Sequence, residues 1–173
     1  MNKKILVLGA VTSLCSLFFT LESSSQNPAS ATVAFRIAPS LSLSVWGENA
    51  TGNSLISVYT IPRPTAQERQ AGFIEHRKAL QLLARGNVPW VLRVHAQEPD
   101  MGLSDDGTYR KPVSDLAVRV ATGPYVLVML QDQVITSGSP GEHLLPVDYR
   151  VRLGDEHRDG NYRVTLIYTL TSR

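Results

Sequence analysis

The chain has 173 residues, 43% hydrophobic and 18% charged, with 17 Lys and Arg against 15 Asp and Glu. That length and composition suit one folded domain. They exclude a disordered tail, a collagen-like repeat, a disulfide-dense mini-protein and a polytopic membrane protein. A net charge of +2 without a basic stripe gives no footing for nucleic acid binding.

Met1-Asn2-Lys3-Lys4 precedes an almost unbroken apolar run from Ile5 to Leu21, and small and polar residues follow it. Basic, then apolar, then small is the order of a secretory signal. Ala29 and Ala31 make an A-x-A pattern, so residues 1–31 read as the leader with cleavage after Ala31, or alternatively after Ser25. The apolar run is short for a membrane span. Cys15, the one cysteine, lies inside the run and follows Leu14, which is not the small residue that lipidation requires. The expected product is an exported protein, extracellular, at the cell surface or periplasmic. It would be a single domain over 32–173, nearly neutral and free of disulfides, relying on its apolar core.

Beyond the leader, apolar and polar residues alternate. Val33, Phe35 and Ile37 keep one face, and after Pro39 the rhythm resumes at Leu41, Leu43 and Val45. This predicts a strand over 32–45, bent at the proline. Ser54–Ile61 is a second strand. Thr65–Arg85 is ambiguous: its residue types favour helix, its neighbours favour strand, and the reading adopted is a short helical lead-in at 65–77 before a strand at 78–85. Trp90–Ala96 and Leu116–Val120 read as strands, His95–Ser114 as a long polar loop, and Tyr125–Leu130 as a strand buried on both faces. Leu145, Val147, Tyr149, Val151 and Leu153 share a face, with Asp148, Arg150 and Arg152 turned to water. Tyr162, Val164, Leu166, Tyr168 and Leu170 make the inner face of the last strand. Turns fall at 47–49, 86–89, 137–141 and 159–160. Short strands so punctuated predict an all-β, antiparallel, Ig-like β-sandwich.

Catalytic chemistry is hard to place. The four histidines (His76, His95, His143 and His157) show no metal-ligand spacing. Asp105-Asp106-Gly107 and Asp155–Asp159 lack the regular oxygen spacing of a calcium loop and read as solvated turns. Ser137-Gly138-Ser139-Pro140-Gly141 lacks the spacing of a nucleophile elbow. The expectation is therefore no catalytic residue, no metal, no cofactor and no enzyme. Trp46 and Trp90 are candidates for stacking on a carbohydrate polymer, but Trp90 opens an apolar strand, which favours core packing. Asp-Gly-Thr-Tyr-Arg (106–110) and Asp-Gly-Asn-Tyr-Arg (159–163) are similar turn-to-strand segments.

Two patches resemble a known family. One is Trp90-Val91-Leu92, preceded by Asn87-Val88-Pro89; the other is Gly160-Asn161-Tyr162 running through Tyr168-Thr169-Leu170. Together they are similar to the WxL domains of bacterial cell surfaces, which carry an internal Trp-x-Leu and a C-terminal Gly-x-Tyr leading into a second Trp-x-Leu. Tyr168 stands here in place of that second tryptophan. The closing strand is also similar to those of fimbrial and spore-coat subunits. The resemblance implies a non-enzymatic, envelope-binding sandwich that recognises cell-envelope polymer or other surface proteins, with Trp90, Leu92, Gly160, Tyr162, Tyr168 and Leu170 as motif positions in the core or on a binding surface. The alternating segment 32–45, apolar on one face, suits a strand donated to a neighbour's sheet, the subunit contact of a self-assembling fimbrial or coat-type homo-oligomer; the alternative is that it is the first strand of its own domain. On physical grounds alone, Trp90 and Tyr168 are expected as core residues of facing sheets.

Overall fold

The computed structural model describes residues 34–46, 52–154 and 158–173. The chain divides after Arg36, and residues 37–173 form one unit. The leader, its cleavage sites, Cys15, the turn at 47–49 and His157 lie outside the described residues. No helix among the described residues is long and apolar enough to cross a membrane.

Among the described residues the alternating runs become eleven strands: β1 (Leu41–Val45), β2 (Ser54–Thr60), β3 (Phe73–Gly86), β4 (Trp90–Ala96), β5 (Asp100–Leu103), β6 (Arg110–Pro112), β7 (Leu116–Val120), β8 (Val126–Leu127), β9 (Gln133–Gly138), β10 (Gly141–Arg152) and β11 (Arg163–Ser172). All pair antiparallel. One sheet has the order β1-β3-β10-β7-β8 and the other β2-β11-β4-β9, with β5-β6 as a separate hairpin. The two larger sheets enclose the core, as expected of a sandwich. The first supplies Leu43, Leu82, Leu116, Val118, Val147, Tyr149 and Val151; the second supplies Trp90, Leu92, Val94, Val164, Leu166, Tyr168 and Leu170. Each fully buried leucine or valine contributes about 1.5–3 kcal/mol relative to exposure.

Several expectations change. Residues 34–40 form no strand, and Phe35 and Ile37 are exposed; the first strand starts only at Leu41. The helix expected over 65–77 is α1, Ala66–Ala71, and the strand begins at Phe73 rather than 78. Both ends have local causes. Thr65 and Glu68 form a reciprocal capping box, and Gly72 at φ +77° stops the helix in a conformation that costs other residues more. The pairing of β3 with β10 shifts between Val147 and Tyr149, and Lys78 there takes φ +51°. This irregularity within the polar run Glu75-His76-Arg77-Lys78 hides the strand's first half from an alternation test.

The 95–114 segment holds the β5-β6 hairpin, in which Met101 and Lys111 are almost wholly buried. Lys111 Nζ bonds Asp115 at 3.0 Å and the Arg152 carbonyl at 2.8 Å. The Tyr125–Leu130 run is regular strand only at Val126–Leu127, with Leu127, Met129 and Leu130 exposed. Gln133–Gly138, assigned in part to a turn, is β9. Asp148 is buried against Arg119 rather than turned to water.

Candidate functional site

The family-like patches come together, but inside the sandwich. β4 pairs with β11 so that Leu92 opposes Leu170 and Trp90 opposes Ser172. Trp90, Leu92, Tyr162, Tyr168 and Leu170 are all at most 2% exposed. Trp90 and Tyr168 thus belong to one sheet, not to facing sheets. The contact across the sandwich is made instead by the hydroxyls of Tyr168 and Tyr149, 2.8 Å apart. Burial raises the pKa of both phenols above its ordinary value. Trp90 stands edge-on to His143, and its ring occupies the space that a side chain at Gly138 would need. Trp46, by contrast, is 60% exposed at the end of β1.

Gly160 serves close packing. A Cβ there would approach Ser104 Cα and the Tyr162 ring to 3.0 Å. The second Asp-Gly-x-Tyr-Arg segment meets the residue just before the first, with the Asp105 amide donating to the Asp159 carbonyl at 2.8 Å. Asp105, Asp106, Arg158 and Asp159 line an open cleft. The Asp106 carboxylate is already engaged by the Ser104 hydroxyl and by the Thr108 amide and hydroxyl, which lower its pKa to about 2. No cluster of three or more metal-ligating side chains occurs among the described residues.

His95 and Asp132 pair at 2.7 Å. The pair sits on the outer face of the β2-β11-β4-β9 sheet, where Ile167 opposes His95. It lines neither the cleft above nor the one described next.

A more developed surface lies on the outer face of the β1-β3-β10-β7-β8 sheet. Glu75, Arg150, Ala117 and Leu127 are successive cross-strand neighbours on β3, β10, β7 and β8, and Phe73 opposes Arg152 one row away. Small Ala117 lies low between larger neighbours. The result is a cleft of about 300 Å³ lined by Phe73, Ala117 and Leu127, by Arg150 and Arg152, and by Ser114 and Asp115 near its end.

Its cationic wall is held in place. The Arg150 guanidinium lies over Tyr125 at 4.0 Å and over Phe73 at 4.7 Å from the ring centroids. It also bonds Glu75 at 2.7 Å. Stacking and a fixed ion pair restrict the side chain at a surface where arginine would otherwise sample many rotamers. Hydrogen bonds from Arg150 and then Arg77 pull the Glu75 carboxyl down to about 2. Arg119 stacks on Tyr125 at 4.5 Å and bonds Asp148. Burial alone would raise the Asp148 carboxyl, but the Lys78 amide and Arg119 outweigh it and hold its pKa below the ordinary value. Around the cleft the face therefore sets four guanidiniums (Arg77, Arg119, Arg150 and Arg152) against the carboxylates of Glu75 and Asp148, both already bonded, while farther along the same face Arg85 and Glu142 pair with each other. Asp115, the acid at the cleft's end, is neutralised by Lys111. Arg152 has no ion pair among the described residues.

None of these residues stands out in sequence: Phe73 and Arg77 fall in the ambiguous 65–85 stretch, and Arg150 and Arg152 read as solvent-facing charges; an arginine repeated at spacing two beside a buried run is the one local signal. Comparison with family models, curated proteins and solved structures returns no match.

Proposed function

We propose that this chain is an exported, non-enzymatic cell-surface protein whose β-sandwich binds a polymer of the cell envelope, in the manner of the WxL domains it resembles. The observation that supports this reading is the cleft over Ala117. Its apolar wall suits the flat face of a sugar ring, and its excess of guanidinium suits the carboxylates or phosphodiesters common in envelope polymers. The family-like motif positions then serve the fold, because five of the six are buried and Gly160 serves close packing, and recognition falls to the opposite sheet.

The test is co-sedimentation of the purified chain with isolated cell walls, with Arg152→Glu as the diagnostic variant. Arg152 is exposed, so its side chain can be reversed in charge while its backbone carbonyl still accepts from Lys111. The native chain should pellet with the walls and the variant should pellet less. A native chain left in the supernatant removes the proposal.

A second reading, a self-assembling fimbrial or coat-type subunit using residues 32–45 for contact, draws on Phe35 and Ile37, which are 83% and 73% exposed. Two large apolar side chains outside the core are what a donated segment would present. Filaments seen by electron microscopy, and lost on deleting 32–38, would favour it.

A further inference from the structure

Every open sheet must deal with its edges, since an edge strand presents unpaired N–H and C=O groups to any strand that approaches. The sandwich has four edges: β1, β8, β2 and β9. Three are blunted. β8 is two residues long, and β9 pairs irregularly with β4 between Leu92 and Arg93. β1 is five residues long, and its Leu43 amide is taken by the Gly52 carbonyl.

β2 has none of these protections. Its seven residues, Ser-Leu-Ile-Ser-Val-Tyr-Thr, include no charge, no proline and no glycine. It pairs with β11 in regular register from Ser54 to Thr60. The flanking bonds, Ile61 N–H to the Tyr162 carbonyl and Leu170 N–H to the Asn53 carbonyl, fix which backbone groups point where. Odd-numbered residues 55, 57 and 59 face β11. Ser54, Ile56, Val58 and Thr60 direct their N–H and C=O groups to the open side, where no partner occurs among the described residues. Ile56 and Val58 are also 66% and 62% exposed on the outer face. A backbone edge and an apolar pair are thus free on the same residues.

We propose that β2 is a homodimer edge: it pairs antiparallel with β2 of a second copy about a two-fold axis at Ser57, joining two four-stranded sheets into one of eight. This goes beyond polymer binding and does not depend on it. The choice of a second copy rests on self-complementarity. With Ser57 opposite itself, Ile56 meets Val58 of the other copy and Ser54 meets Thr60, each pair through outward-facing backbone groups. Apolar meets apolar twice, hydroxyl meets hydroxyl twice, and about eight backbone hydrogen bonds form. The outer-face row extends as Val58 of the partner copy, then Ile56, then Ile167, which opposes Ile56 on β11. Because the contact is isologous, pairing consumes the edge and assembly stops at two, unlike a filament built by strand donation.

Sedimentation equilibrium of the purified chain should show reversible monomer–dimer association. Val58→Lys places an ammonium against the partner's Ile56 in both halves and should weaken association by about tenfold or more. Val134→Lys puts the same change on the opposite edge, where the valine is 54% exposed, and should leave association as in the native chain. Circular dichroism checks that each variant is folded. Independently, Ser57→Cys in a Cys15→Ser background should give a disulfide-linked dimer under mild oxidation, because self-opposed residues on non-hydrogen-bonded positions lie close enough to bridge. A chain that stays monomeric at every concentration, a Val58→Lys variant that associates like the native chain, or a Ser57→Cys variant that does not cross-link would each overturn the proposal.

Discussion

Gly138 and Trp90 offer a sharp test of how the core is packed. The two residues are directly opposed on β9 and β4. A Cβ built on Gly138 would lie 2.2 Å from Trp90 Cζ2, 2.5 Å from Cε2 and 2.8 Å from Cη2. The indole is 1% exposed and abuts His143 at 5.3 Å between centroids, so it has little freedom to move away. At an unconstrained strand position, Gly→Ala stabilises by roughly 0.4–1 kcal/mol by restricting the unfolded chain. Here the steric term has the opposite sign and is larger: overpacking a filled core costs about 1–3 kcal/mol. Gly138→Ala should therefore destabilise by about 1–2 kcal/mol net. The atoms in conflict all belong to the six-membered ring of the indole, which Trp90→Phe removes from that position. In the Trp90→Phe background the alanine should be neutral or mildly stabilising, giving a coupling of about 2 kcal/mol in a double-mutant cycle. Urea melts of the four proteins, followed by far-ultraviolet circular dichroism, measure it. Additive effects of the two substitutions would refute the packing argument.

Other perturbations probe the polar interior. Lys111→Ala leaves the Asp115 carboxylate and the Arg152 carbonyl without their buried donor, and should cost about 3 kcal/mol or more in a urea melt. Tyr168→Phe removes one of the two partners of the buried Tyr149 hydroxyl, which keeps its bond to Ser57, and should cost only about 0.5–1.5 kcal/mol. Tyr59→Phe should be neutral or stabilising, since the Tyr59 hydroxyl is buried with no hydrogen-bond partner among the described residues. Burial first, then Tyr149 and Glu68, push the Tyr59 phenol up to about 12. Stability from this group is fully present below pH 10 and is lost as pH rises from 10 through about 12; Tyr59→Phe should shallow that alkaline decline. At the acid end the sign reverses. Glu75, held at about 2, contributes above its ordinary 4.5 and loses that contribution as pH falls toward 2. After discounting for solvent screening this is on the order of 1 kcal/mol, and Glu75→Gln should remove that part of the pH dependence.

What could be read in the sequence follows a physical divide between the two faces of each strand. Burial demands only that alternate residues be apolar, and that demand is written locally. Trp90–Ala96, Leu116–Val120 and the inward residues of β11 emerge with correct bounds or nearly so. Alternation fails where a local irregularity absorbs residues, as at Lys78, or where an apolar run leaves one strand for another, as beyond Leu127, where Val128 bonds Leu116 of β7 and Met129 bonds Ala96 of β4. It is also silent on strand order, which is why Trp90 and Tyr168 read as facing when they lie on adjacent strands of one sheet.

The outer face obeys a different rule, because its residues need not be apolar and acquire meaning only from what lies beside them. Arg150 is an exposed charge in sequence. It becomes a fixed cationic wall because β3 lies on one side of β10, bringing Glu75 and Phe73, and β7 on the other, with Tyr125 close behind. These partners are 25 to 77 residues from Arg150 along the chain. A different order of the same strands would keep every inward side chain buried and pass the same alternation test, yet it would scatter the guanidiniums and leave no cleft over Ala117. The surface on which the proposed binding rests is therefore a property of topology, and the inner-face motifs that suggested a family could not have located it.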